Sequence, residues 1–481
     1  MSMTGSFTAL PGVIGLGVII ALAGCAVGPD YKRPAVELPS SYPGAPPQAS
    51  GASAAVAADW WTLYNDATLN DLVAATLQNN ADLHKALARI DQAEAVLAEA
   101  GATLFPEIDI GASSTRSRSS TLNAQPLPSG TPAISNSNRL ALSTSFELDF
   151  WGKLRRASEA ARAQVLGTRY ARDVTALSLA GAATQSYFTL RALDAQIAVT
   201  KATLASREEA LAVMKSRAAG GLASQLEVNQ AEVARAEAAL QSRDLQRQRA
   251  LVEHQLAQLT GKLDLTIAPG DVMALPMPAL PPPGLPSTLL ERRPDVRQAE
   301  QALVAANAEI GVAKADQLPT FSLTGDFGGQ SKELSDVLKS GARIWSIGLS
   351  GVMPIFDAGK YSARTRQAEA LQRQAAADYQ KAVETAFKDV ADALTNVQQT
   401  SAAADDLQTM VDAAHNALRL SRLRYDAGYT EYLEVLDAQR SANSAEQSLV
   451  QNRQLQLIYS VDLMKALGGG WSSNQAPVAQ R

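Results

Sequence analysis

Gly221-Leu222-Ala223-Ser224-Gln225-Leu226-Glu227-Val228 returns 207 residues later as Gly428-Tyr429-Thr430-Glu431-Tyr432-Leu433-Glu434-Val435. Working outward, Phe150-Trp151-Gly152-Lys153 returns as Phe356-Asp357-Ala358-Gly359-Lys360. The chain is therefore a tandem repeat. Each copy reads in one order: helix, proline, two short alternating strands, then two very long helices meeting at a glycine. A unit of that size, mostly helix with a few strands, suits an extended assembly better than a globular enzyme.

Length alone, 481 residues, suggests about three domains, but each repeat can be half of one object. The balance of 43 basic and 48 acidic residues, net charge -5, offers no basic patch for phosphates and argues against a nucleic-acid partner. Aromatic residues are scarce at 5% and alanine is abundant, so closely packed helices are expected in place of a thick core.

Residues 12–24 form an apolar run too short to cross a bilayer comfortably, ending at the only cysteine, Cys25. That is the shape of a signal peptide. Leu22-Ala23-Gly24-Cys25 resembles a bacterial lipobox, which implies acyl chains (palmitate among them) on Cys25, and Ala26 after it implies sorting to the outer membrane. No further cysteine follows, so an exported mature chain needs no disulfide. From Val27 to Ser53 the Pro, Gly, Ser and Ala content reads as an extended tether.

Helical sequence from Asp59 to about Thr103, broken near Asn79-Asn80, stops ahead of Pro106; Pro319 plays the same part in the second copy. Period-two alternation then sets Leu140, Leu142, Phe146 and Leu148 against Ser143, Ser145 and Glu147. Trp345, Ile347, Leu349, Met353 and Ile355 oppose Ser346, Gly348 and Ser350, and Ile108, Ile110, Phe321, Leu323 and Phe327 complete four strands. Such strands suit an ordinary sheet packed on a helix, or a transmembrane β-barrel with lipid outside and water inside. Four cannot close a barrel. Two copies supply eight strands and a filled interior; three supply twelve and the beginning of a lumen. Residues 116–138 and 328–343 read as polar loops.

No proline interrupts residues 152–220 or 359–427, roughly 100 Å of continuous helix each. Val383, Phe387, Val390, Leu394 and Val397 trace a coiled-coil seam. Gly221 and Gly428 end these helices and reverse the chain. The three histidines, His84, His254 and His415, fall at unrelated points, and no hydrolase, phosphate-loop or paired-cysteine motif occurs. Neither a catalytic site, a metal site nor a bound cofactor is expected, apart from the covalent lipid on Cys25.

The lipobox followed by Gly28-Pro29-Asp30-Tyr31, the duplicated unit, and Arg424-Tyr425-Asp426-Ala427-Gly428 leading into Tyr432-Leu433-Glu434-Val435-Leu436-Asp437-Ala438-Gln439-Arg440 resemble the outer membrane factor family. The nearest branch is the OprM/CusC-like lipoprotein one serving RND-type efflux systems. That resemblance implies a mixed α and β membrane protein: a TolC-like homotrimer with a shared 12-stranded antiparallel β-barrel, four strands per chain, in the outer membrane and a long periplasmic α-helical barrel. It implies a periplasmic adaptor protein docking at the Gly221 and Gly428 turns, an inner-membrane RND-type transporter as partner, and a periplasmic gate of Leu433, Asp437 and Tyr425. Three chains would set a ring of Leu433 beside a ring of Asp437, whereas the first copy has Leu226 but Gln230 in place of the acid. The expected function is a passive outer membrane exit channel for small solutes. Alternatives are a duct for type I protein secretion, or a lipid-anchored periplasmic coiled-coil scaffold. The boundaries expected are signal peptide 1–24, lipidated tether 25–65, repeat one 66–261, Pro-rich equatorial linker 262–287, repeat two 288–468 and a disordered tail 469–481.

Overall fold

Proline ends the first helix of each repeat. In the computed structural model, which describes residues 26–43, 56–120, 132–284 and 286–471, α1 (Ala67–Asn79) and α2 (Ala81–Ala102) precede Pro106. A single turn, α5 (Leu289–Arg292), and α6 (Pro294–Ala315) precede Pro319. The missing amide of each proline stops the helical ladder, and strands begin directly after it. The signal segment 1–24, Cys25, part of the tether and most of the tail lie outside the described residues.

The strands β1 (Glu107–Arg118), β2 (Ile134–Leu148), β3 (Thr320–Ser331) and β4 (Arg343–Val352) form one antiparallel sheet in the order β1-β2-β3-β4. Its register stacks Ile110, Leu142, Phe327 and Trp345 in one row, and Phe146, Leu323 and Leu349 in another. The adjacent residues, such as Asp109, Ser143, Asp326 and Ser346, form rows of the opposite face. Such rows fix the register, because a slip of one residue would exchange the faces. Two boundaries differ from the sequence reading. The ladder of β1 and β2 extends to Arg118 and Ile134, into the stretch expected as loop, because polar side chains alternate across the pleat as readily once the partner backbone is in place. β4 ends at Val352 ahead of Met353 and Ile355, since Pro354 has no amide to give.

The sheet belongs to a unit made of residues up to 34, 90–167 and 299–379. Residues 26–34, read from sequence as part of a loose tether, are pinned within it. The Val27 amide donates to the Trp151 carbonyl at 2.9 Å. Arg156 holds Asp30 at 2.6 Å, and Arg33 makes a two-pronged bond to Glu300 at 2.6 and 2.9 Å. Gly28 lies so close to Gly311 that a Cβ on Gly28 would meet the Gly311 Cα at 2.6 Å.

The second unit comprises residues 35–89, 168–298 and 380 onward. It takes in the long helices α3 (Lys153–Ala219) and α7 (Lys360–Asp426), 67 residues each, from residues 168 and 380 onward, and the return helices α4 (Gln225–Thr260) and α8 (Tyr432–Ala466) that follow them. Along α7 the buried seam is Tyr379, Val383, Ala386, Val390 and Ala393. It replaces Phe387 and Leu394 of the expected stripe with alanines one residue earlier. Small residues let a neighbouring backbone approach, and Phe387 instead stacks on Tyr42 at 5.2 Å. A compact core of Trp60, Tyr64, Tyr187, Phe188, Leu256, Leu457 and Met464 concentrates the few aromatics. Trp60 and Tyr64 thus anchor residues 60–64, a 3-10 turn, in the stretch expected to be tether. Val272, within the Pro-rich stretch, is fully buried in the same core.

Candidate functional site: a two-faced sheet and a paired helical tip

The sheet has one face that none of the described residues covers. Ile347 is 77% exposed, Trp345 74% and Ile110 72%, and Ile108, Phe327 and Leu349 are exposed beside them. Contiguous exposed apolar area of this kind is a poor surface for water. The opposite face carries Glu107, Asp109, Glu147 and Asp326 among serines and threonines, with Arg139 paired to Asp326 at 2.8 Å. Both outer strands, β1 and β4, have a free edge among the described residues. No helix among them is long and apolar enough to cross a membrane. Lipid on one face, water on the other and a strand from another copy on each edge would satisfy every group.

The second site is the tip of the two helical hairpins. Gly221 and Gly428 adopt φ of 72° and 78°. In both turns the residue after the glycine returns its amide to the carbonyl of the third-last helical residue, Leu222 to Arg217 at 2.8 Å and Tyr429 to Arg424 at 2.9 Å. This is the Schellman arrangement, which needs a residue without a Cβ at the left-handed position. Ser224 then caps α4 through a reciprocal box with Glu227. α8 lacks such a cap at Glu431; there the Thr430 hydroxyl bonds Glu434, which also pairs with Arg424 at 3.2 Å.

The hairpins pack through Leu211, Met214, Val228, Tyr432, Val435 and Leu436. Tyr425 sits against this cluster. Its hydroxyl accepts from Arg217 at 3.3 Å and points at the Met214 sulfur at 3.5 Å, while the Arg217 guanidinium lies 5.5 Å from its ring centre. Tyr432 packs beside it at 5.4 Å. Leu433 and Asp437 lie one turn apart on the face of α8 turned away from this cluster, 46% exposed and, for the Asp437 side chain, 70%. Leu433 is therefore not a core residue of the hairpin pair. The structure brings Tyr425 into contact with α3 and leaves Leu433 and Asp437 together and open; Cys25 lies outside the described residues.

Several tip arginines have no role assigned from the sequence, although Arg424 and Arg440 stand in the tip motif. Arg217 and Arg424 occupy the same place in the two repeats, four residues before each glycine, and that recurrence was the signal available. Arg440 bridges to Glu237 at 3.4 Å and stands 3.9 Å from Asp437. Arg207 donates to the Ala234 carbonyl at 2.5 Å, and burial lowers its pKa below the ordinary value. No group of His, Cys, Asp and Glu among the described residues is arranged to hold a metal.

A family model described as outer membrane efflux protein matches residues 72–262 and 285–469. The solvent efflux pump outer membrane protein SrpC of Pseudomonas putida is 36% identical over 475 residues, covering 95% of this chain and 98% of its own length. Outer membrane protein OprJ of Pseudomonas aeruginosa is 35% identical over 482 residues, covering 98% of each. The crystal structure of the Campylobacter jejuni CmeC outer membrane channel is similar at a TM-score of 0.88 and 25% identity, covering 94% of this chain and 96% of that one.

Proposed function

This chain belongs to the outer membrane efflux protein family, and from that membership we propose that it is the outer membrane exit channel of a tripartite efflux pump. The observation that carries the reading is the four-stranded sheet with an exposed apolar face, a polar face and two free edges. Three copies joined edge to edge close twelve strands, with lipid outside and water inside. The helical hairpins of the three copies form an α-helical barrel in the periplasm. Solutes pass without chemistry. A periplasmic adaptor grips the tips at Gly221 and Gly428, where Leu222 and Tyr429 stand 83% and 80% exposed, and an RND-type inner-membrane transporter supplies the cargo.

Cys25 carries the lipid. The lipobox at Leu22-Ala23-Gly24-Cys25 supports this, and the chain that follows it is held in place, with Ala26 packed against Gly152 directly after β2. Leu433 and Asp437 form the resting constriction. Three exposed leucines facing one axis resist wetting, and three carboxylates one turn away repel anions. Tyr425, held by Arg217, keeps the second hairpin closed against the first.

Protein extracted from outer membranes should migrate as a heat-sensitive trimer and conduct in planar bilayers. Replacing Leu433 and Asp437 together by alanine should raise single-channel conductance. A monomeric particle without conductance would overturn the channel reading, and an unchanged conductance would overturn the gate alone.

A further inference from the structure

Charge is sorted across the sheet. On the face that shares its parity with Ile108, Leu142, Phe327 and Trp345, the charged residues are Arg116, Arg118 and Arg343, with no acid among the described residues. The four strand acids, Glu107, Asp109, Glu147 and Asp326, all lie on the other face, where Arg139 is the lone base. The three arginines are also sorted by height. Arg343 stands level with Leu140 and Gly329, one row past the Trp345 row, and Arg116 and Arg118 follow at four and six residues beyond Ala112 of that level. At about 3.4 Å per residue and a strand tilt near 40°, Arg116 and Arg118 lie roughly 10–15 Å beyond the row of Arg343.

The direction is fixed by connectivity. β2 runs into α3 at one end, so the β1–β2 and β3–β4 connections, with the arginines, lie at the opposite, outward end. All three arginines are exposed, and among the described residues none is tied by an ion pair or side-chain hydrogen bond. The nearby connection between β3 and β4 contributes Lys332, Glu333, Asp336 and Lys339, of which Asp336 is already bound to Lys339 at 2.6 Å. The β1–β2 connection, residues 119–133, contains no charged residue. Arg116 and Arg118 are on one edge strand and Arg343 is on the other, so edge-to-edge closure brings Arg343 of one copy toward the pair on the next.

We propose that Arg116, Arg118 and Arg343 form a binding surface for the phosphorylated headgroups of outer-leaflet glycolipid, completed at each seam between copies. This rests on the channel reading, which turns the apolar face to lipid. A guanidinium meets a phosphate through two parallel hydrogen bonds, and the apolar rows directly beneath hold the acyl chains of the same molecule. A polar protein partner would have no use for that continuity between cationic rim and apolar wall.

The test uses the full-length trimer in detergent, its assembly scored by heat-sensitive migration, titrated with diphosphorylated lipid A, with the same lipid after removal of its phosphates, and with inorganic phosphate alone. Retained lipid is counted by native mass spectrometry. The wild type should retain the phosphorylated form with roughly tenfold or greater preference, and the combined Arg116→Ala, Arg118→Ala, Arg343→Ala variant should lose that preference while Arg139→Ala keeps it. Equal retention of both lipids by trimeric wild type overturns the inference and leaves the channel standing, and this comparison needs no variant to fold. Inorganic phosphate that competes at micromolar concentration shows a free-anion site and overturns the lipid assignment. Protein that never forms a trimer removes the channel reading and this one together.

Discussion

Gly428 and Glu300 show how single residues set the local frame. With φ of 78° at Gly428, Gly428→Ala meets no neighbour within 4 Å yet must hold a left-handed backbone, costing about 1–2 kcal/mol. Thermal unfolding of the trimer should register that loss, and adaptor binding should fall with it. Glu300 accepts from both Arg33 and Tyr31, so Glu300→Gln removes the charge that holds the strap. Faster proteolysis within residues 26–34, with the sheet intact, is the expected result. The glycines were legible in sequence because their repetition marked them. The strap was not: its composition reads as linker, and what orders it are partners near residues 150 and 300 that no local pattern reveals. In the second unit Arg293 is similar. Burial works against its charge, but the bonds and charges of Asp295 and Asp389 outweigh that and raise its pKa above the ordinary value.

At the scale of elements, the sheet's two faces call for opposite responses to one change. Ile347→Asp puts a carboxylate on the apolar face and should cost up to about 2 kcal/mol, seen as loss of heat-resistant trimer. Ser350→Asp, on the polar face of the same strand, should be tolerated. The alternation that distinguishes these positions was readable from the chain alone, as were the four strands and the two 67-residue helices, because periodicity and proline placement are local signals. Element ends and the helical seam were less so. Ala386 and Ala393, not Phe387 and Leu394, line the contact on α7, since close approach of backbones decides which stripe is buried and hydrophobic size alone does not. In the second unit's core, Trp60→Ala should cost about 3–5 kcal/mol by opening a cavity among Tyr64, Phe188 and Met464.

For the whole molecule, the polar face gives each copy four strand acids against one arginine. Threefold closure would line the lumen with excess negative charge, so reversal potentials in a salt gradient should favour cations, and Glu107→Gln with Asp109→Asn should weaken that preference. The family resemblance of the tip segment 424–440 stands on the matched model and relatives. The contact between Tyr425 and Arg217 required the fold, because the two residues are 208 positions apart.

Both margins of the sheet wait for a neighbour, and none of the described residues of the chain that owns them supplies one. A defective allele should therefore poison a healthy one when the two are expressed together. A subunit whose β4 margin is spoiled still offers a sound β1 margin, enters rings and leaves them unsealed. With equal amounts of each product, roughly one ring in eight would contain only intact members, so co-expression should depress export through the pump far below half.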